Sequence, residues 1–267
     1  MAPFAIREKD GLRFSYFPAW EKLGVGHAFT CRTGGESDNL EGILNMGLHS
    51  GDNPEKVVRN RQKVAKALGF DLNRTVTCNQ VHSTHIVRVT EADAGKGAFT
   101  YEDTLPQTDG LITDCRNLPL LLVFADCVPI LLVDTCSNAI GLVHAGWRGS
   151  VAGIAKKAVE QLAEAFGCQP HNLAVGIGPS IGPCCYEVDE AVRSQAEAYA
   201  SCFTPGREGH YQLDLWKMNT LQLLEAGVPQ EMIFRSDYCT CCHQGDFFSY
   251  RGEHGKTGRL AGILFRK

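Results

Sequence analysis

Cys127 and His144 sit near opposite ends of one stretch, ADCVPILLVDTCSNAIGLVHAG, whose pattern brings them together. Its two apolar runs, Val128–Asp134 and Ala139–His144, read as strands, and the turn formers around Asp134-Thr-Cys-Ser-Asn138 join them as a hairpin. If Thr135–Asn138 form a four-residue loop, Asp134 faces Ala139, Pro129 faces His144 and Cys127 faces Gly146. Cys127 and His144 then become diagonal neighbours on one face, roughly 7–8 Å apart, close enough for both side chains to reach an ion between them. An odd loop would put them on opposite faces, because side chains alternate with period two. A thiol and an imidazole so placed could ligate a metal or serve as nucleophile and base.

A third ligand is offered by CNQVHSTHIVRVT, where a polar interruption carrying His82 and His85 separates two strand-like runs. Spacing does not choose between the two histidines, nor bring either to Cys127. Beyond His144, Ala-Gly-Trp-Arg-Gly leads into a helix beginning near Ser150, so His144 stands at a strand's carboxyl end, a common place for a site. The free N–H groups of that helix start, with Arg148, form an expected anion corner. Salt bridging by Arg148 and core packing by Trp147 are the competing assignments.

The elements that must position these groups alternate between strand and helix. Helical spacing of apolar residues predicts helices over Pro54–Leu68, Ser150–Phe166, Asp189–Ala200 and Leu213–Glu225. In the second, Ser150 is the expected cap and Gly167 the left-handed stop. Further strands are expected at Val25–Thr30, Arg74–Cys78, Ile86–Thr90, Gly110–Thr113, Leu118–Phe124, Leu173–Ile177 and Gly262–Phe265. The class is mixed α/β, with sheets packed between helical layers. A length of 267 residues and the absence of a linker or repeat favour one domain over residues 1–267.

Composition narrows the function. Hydrophobic residues at 44% and charged residues at 21% are those of a globular chain. A net charge of -4, with no basic block, argues against a nucleic-acid partner and for a small substrate. Arg7, Glu8, Lys9 and Asp10 stand where a secretory signal needs its apolar run, and no apolar stretch reaches membrane-spanning length. A cytoplasmic location and no membrane partner are therefore expected. Twelve cysteines then read as thiols or metal ligands rather than disulfides.

The segments FTCRTGGES, LNMGLHSGDNPEKVVRNR, NQVHSTHI, TDGLIT, ADCVPILLVD, VHAGWRGS, GIGPSIGPCCYEV and FFSYR together carry a resemblance over almost the whole chain. The chain resembles the YfiH-type, laccase-domain family of bacterial purine nucleoside phosphorylases, formerly labelled polyphenol oxidases. The resemblance implies a four-layer α/β/β/α fold and a zinc site with His82, Cys127 and His144 as ligands. It also implies phosphorolysis of adenosine, inosine and 5'-methylthioadenosine, accompanied by adenosine deamination, with purine nucleosides and phosphate as partners. Two nitrogens and a thiolate hold zinc and leave its fourth position open. Deamination at the purine C6 would use water activated by zinc, with Asp109 or Asp126 as proton carrier; Asp126 could equally support Cys127 from behind. With the resemblance, Arg32 and the Gly34-Gly35 turn are expected to contact an anion, and Asn45 and Gln80 to hydrogen-bond ribose or base, although turn and strand-end packing would explain the last two as well. Peptidoglycan editing is attached to relatives of this type. A monomer or small homo-oligomer is expected.

The cluster Cys239, Cys241, Cys242 and His243 lacks common finger spacing, and adjacent cysteines diverge in an extended chain; these thiols, and Cys184 with Cys185, read as incidental. Two rival chemistries share the main site. One is a metal-free Cys127/His144 hydrolase, by resemblance to the deamidase domain of cytotoxic necrotizing factor. The other is copper oxidation, which needs paired His-x-His ligands that the nine histidines do not supply. A non-enzymatic binding protein is the remaining alternative.

Overall fold

The computed structural model describes residues 4–38 and 43–267. Two β-sheets lie face to face at its centre. The first contains, in spatial order, Ala5–Lys9, Leu12–Tyr16, Val25–Thr30, Leu260–Arg266 and Leu120–Phe124, antiparallel throughout. The second contains Ile233–Arg235, Leu173–Ile177, Val128–Asp134, Ile140–Ala145, Gly110–Thr113 and Ile86–Arg88, with parallel pairs at its two ends. A small third sheet joins Glu187–Asp189, His210–Leu213 and Phe203–Pro205.

Strand alternation sorts side chains into layers. Leu120, Leu122 and Phe124 of the first sheet meet Leu131, Val133, Ile140 and Leu142 of the second in the core between them. Leu121 and Val123 face the other way, toward Val64 and Ala67 of helix Pro54–Leu68. Ile130 and Leu132 turn outward beneath helices Ile154–Phe166 and Leu215–Glu225, against Ile154, Ala158, Leu162, Met218 and Leu223. The architecture is therefore α/β/β/α. Fully burying one such leucine or isoleucine contributes about 1.5–3 kcal/mol, so strands covered on both faces read as unbroken apolar runs.

Several expected elements change in detail. The helix expected over Ser150–Phe166 is two helices, Trp147–Val151 and Ile154–Phe166, because Gly153 between them takes φ 84°, outside the helical region. Asp189–Ala200 yields one α-turn, Glu190–Arg193, and then a distorted 3-10 segment, Ser194–Cys202, with non-helical torsions at Ala196 and Tyr199. The helix expected from Leu213 starts at Leu215, after Asp214 caps the backbone N–H of Lys217. Instead of a strand over Arg74–Cys78, isolated bridges form at Val76 and Cys78. The unforeseen hairpin Ala5–Lys9/Leu12–Tyr16 turns at Asp10-Gly11, both with positive φ, as the Asp-Gly pair favours.

Candidate active site

The hairpin adopts the four-residue loop. Pro129 pairs with His144, Val128 with Ala145, and the Asp134 amide bonds the Ala139 carbonyl. Cys127 and His144 thus face one side, and His82 joins them from the loop preceding Ile86. Single ligand atoms of the three lie within 4.8 Å of one another. The Cys127 Sγ is 4.0 Å from His82 Nδ1, and the two imidazole centroids are 4.9 Å apart.

Asp109 assembles this trio from behind. It is fully buried at the start of strand Gly110–Thr113, and its carboxylate accepts from the N–H groups of Val81 (3.2 Å), His82 (3.0 Å) and Ser83 (2.6 Å), and from Ser83 Oγ (2.7 Å). Three successive amides converging on one carboxylate hold His82 at φ 61°, a conformation costing of order 1–3 kcal/mol for a non-glycine residue. The same carboxylate lies 2.9 Å from His144 Nδ1, leaving Nε2 for the cluster. Asp109 thus positions ligands; its expected substrate contact and proton-carrier role give way to this, since it has no exposed surface.

Charge is arranged around the pair. Burial pushes the Cys127 thiol up, but the charge and hydrogen bond of His144, with His82, outweigh it and lower it to about 6. Burial lowers His144, yet Cys127 and Asp109 raise it to about 9. An approaching cation takes the place of the imidazole proton, since only neutral imidazole and thiolate ligate. The donors fit one ion: two nitrogens and a sulfur, borderline in softness. Gly146 leaves the space it needs, for a Cβ there would stand 2.5 Å from His82 Nδ1 and 3.2 Å from Cys127 Sγ.

The trio opens into a cavity of about 480 Å³ lined also by His49, Gln80, Asp126, Trp147, Tyr186, Tyr250, Arg251 and Arg259. Asp126, at φ 81°, borders this cavity while accepting from Thr240 Oγ1 (2.6 Å) and the Arg251 N–H (2.6 Å). Gln80 is zipped to the end of strand Leu120–Phe124, donating to the Val123 carbonyl (2.8 Å) and accepting from its N–H (2.9 Å). Arg148 is exposed, stacks over Trp147 at 4.4 Å and does not line the cavity, so of the expected anion corner only the helix start at Trp147 borders it.

Arg32 and Asn45 line a neighbouring cavity of about 620 Å³ that shares His49 and Arg259 with the first. The expected anion fork of Arg32 is spent on Glu253 (2.9 Å) and the Gln244 carbonyl (2.8 Å), while Gly34 and Gly35 lie in strand Thr33–Ser37. Asn45 is buried, and its Oδ1 accepts from the backbone of Gly47 and Arg259, fixing the shared wall.

Sequence reasoning missed His49, Tyr186, Tyr250, Arg251 and Arg259. Tyr250 and Arg251 do belong to the FFSYR segment, but nothing local there marks a cavity wall. Burial, with Arg259 and Arg61, lowers His49 to about 4 and keeps it neutral near pH 7. Burial and the charge of Cys127 raise Tyr186, which keeps its proton.

Residues 26–267 match a family model described as multi-copper polyphenol oxidoreductase laccase. The chain belongs to this laccase-domain family, of YfiH type. It is 43% identical over 249 residues to purine nucleoside phosphorylase YlmD of Geobacillus stearothermophilus, covering 91% of each. A purine nucleoside phosphorylase of Bacteroides thetaiotaomicron is 31% identical over 265 residues, covering 97% of this chain and 98% of that one. The crystal structure of Bacillus licheniformis hypothetical protein YfiH superposes with a TM-score of 0.94 at 38% identity, covering all of both chains. YlmD from Geobacillus stearothermophilus also gives 0.94, at 40% identity over 99% of each. No helix among the described residues is long and apolar enough to cross a membrane.

Proposed function

We propose that the chain is a zinc-dependent purine nucleoside phosphorylase acting on adenosine, inosine and 5'-methylthioadenosine, with adenosine deamination as a second activity. The observation that carries this reading is the convergence of His82, Cys127 and His144 on the floor of a cavity walled by aromatic rings and arginines. The curated relatives' names supply the reaction class.

In phosphorolysis a phosphate oxygen forms a bond to the ribose C1' while the C1'–N9 bond breaks and its electron pair departs with the purine. Trp147, Tyr186 and Tyr250 offer faces on which a purine stacks. Arg251 and Arg259 offer charge for phosphate, strengthened by the partial exclusion of water. The protonated Tyr186 hydroxyl can donate to the departing base. Asp126 holds the backbone of Arg251 and so fixes one wall. His82, Cys127 and His144 would hold the zinc ion, which supplies Lewis acidity and orients oxygen ligands. A copper assignment is weaker, because a multicopper centre needs more imidazoles than the two in this cluster. Twelve free cysteines suit a cytoplasmic location.

The deciding experiment measures metal content and the products formed from adenosine, inosine and 5'-methylthioadenosine, with and without phosphate, for wild type and Cys127→Ser. Phosphate-dependent release of free base, lost together with zinc in the variant, is expected. Unchanged turnover by metal-free Cys127→Ser refutes the assignment.

One arrangement favours a second reading. Asp109, His144 and Cys127 run in the order of a thiol triad, with a low thiol pKa. A thiol hydrolase would survive chelation and be inactivated rapidly by alkylation, whereas the phosphorylase loses activity with its metal.

A further inference from the structure

Cys184, Cys185, Cys239 and Cys242 do not behave as incidental thiols. Their four sulfurs all lie within 4.8 Å of one another, with Cys242 Sγ 3.5 Å from that of Cys184 and 3.4 Å from that of Cys185. The divergence of adjacent cysteines expected from an extended chain does not arise at 184–185, because Pro183–Cys185 form a turn in which the N–H groups of Cys185 and Tyr186 both bond the Gly182 carbonyl. At the second segment a turn closed by the His243 N–H on the Cys239 carbonyl brings Cys242 back beside Cys239. Cys241 is the one that diverges, packing on the core beneath the outer helices. The two turns are registered by backbone: Ser180 bridges Cys239, and the Thr240 N–H bonds the Ser180 carbonyl at 3.0 Å.

We propose that these four thiols form a second metal site, a tetrathiolate centre for one thiophilic ion of tetrahedral preference, zinc or a lone iron. A tetrahedron with metal–sulfur bonds of about 2.3 Å separates its sulfurs by about 3.8 Å, the scale seen here. A multi-iron cluster distributes its thiolates over several metals and requires a wider ring than this one. A disulfide answers the geometry less well, since Cys242 has two nearly equidistant partners and pairing with either strands the other two thiols. The site has the supporting donor that thiolate ligands need: the Gly182 N–H points at Cys239 Sγ from 3.2 Å.

Such an ion ties a segment that walls the active-site cavity to one that supports its wall from behind. Tyr186 follows Cys185 directly, and Thr240 lies between the two cysteines of the second turn and bonds Asp126. The centre is structural, with all four positions taken by protein.

The test is metal stoichiometry on protein purified without added chelator, with zinc and iron measured separately. Wild type is expected to carry two ions per chain, Cys127→Ser one, and Cys239→Ser/Cys242→Ser one; the element lost from the double variant identifies the second ion. Failure of the catalytic zinc assignment would leave wild type and Cys127→Ser with one ion each, still lost from the double variant, so the two readings are separable. Cobalt-reconstituted Cys127→Ser should show the intense thiolate-to-cobalt charge-transfer absorption of a four-sulfur site. Should the double variant not fold, native alkylation of wild type decides. Cys184 and Cys242 are exposed, and as metal ligands they resist alkylation until a strong chelator is added. An ion content unchanged between wild type and Cys239→Ser/Cys242→Ser, prompt alkylation of both cysteines without chelator, or a mass two hydrogens short at these cysteines would overturn the proposal.

Discussion

Replacing Asp109 by Asn should unmake the active site while changing almost no volume. One carboxylate oxygen accepts from His82 N–H and faces His144 Nδ1; the other accepts from Val81 N–H, Ser83 N–H and Ser83 Oγ. An Asn amide keeps one oxygen and turns its NH2 toward the other set. If the NH2 faces His82 and His144, a donor meets the His82 N–H, and His144 Nδ1 becomes the acceptor, moving its proton to Nε2, where it blocks ligation. If it faces Val81 and Ser83, two backbone donors lose their partner. Either way about two hydrogen bonds to a charged acceptor vanish, each contributing about 1.5–3 kcal/mol, a total of about 3–6 kcal/mol. Loss of a carboxylate supporting a metal-ligating imidazole typically weakens metal affinity 10–100-fold, about 1.4–2.7 kcal/mol of that. The remainder should appear as reduced global stability, because His82 is no longer held in its left-handed conformation. Chelator competition reads the first part and urea unfolding of the metal-free protein the second. An Asp109→Asn protein with wild-type metal affinity and an unshifted urea midpoint would refute the positioning role.

Gly146→Ala should abolish metal binding at the trio with little effect on secondary structure, because the new methyl would sit 2.5 Å from His82 Nδ1; metal analysis beside circular dichroism checks it. Arg259→Leu should raise the KM for phosphate about 10–100-fold through loss of a charge-assisted contact, with a smaller change in KM for nucleoside; equal changes in both would remove Arg259 from the phosphate site. His27, buried and not among the residues lining the cavity, accepts from the Phe17 N–H at 3.0 Å, and burial lowers it to about 4. The folded protein therefore keeps His27 neutral where the unfolded chain protonates it, and stability falls as pH drops from about 6.5 to 4, by about 3 kcal/mol from this residue. In His27→Gln the decline over that window should be shallower by about this amount, measured by urea unfolding at each pH.

Much of the site could be read in the sequence because the hairpin is local. Thr135–Asn138 fix the loop, the loop fixes the register, and period-two alternation puts Cys127 and His144 on one side. Unbroken apolar runs such as LLLVF and VPILLVD mark strands covered on both faces. Helix Pro54–Leu68 was equally legible, from apolar spacing; in the structure Asn53 caps it and Gly69 stops it. The family segments named His82.

Other features depended on groups distant in the chain. Asp109 reads as one more acidic residue until folding brings the amides of 81–83 and the ring of His144 around it. Arg32 looked available for an anion, yet Glu253 takes it from more than two hundred positions away. Tyr186, Arg251 and Arg259 line one cavity only because two sheets and their connecting turns meet there. The four thiols seemed unrelated because an extended-chain rule was applied to residues that fold as turns. Sequence by itself thus determined what short-range periodicity and turn chemistry control: most strands and the Cys127–His144 pairing, while the layer order came from the family resemblance. Tertiary structure alone decided which charges are spent, which are exposed, and which sulfurs meet, since those depend on contacts between segments whose separation no local pattern encodes.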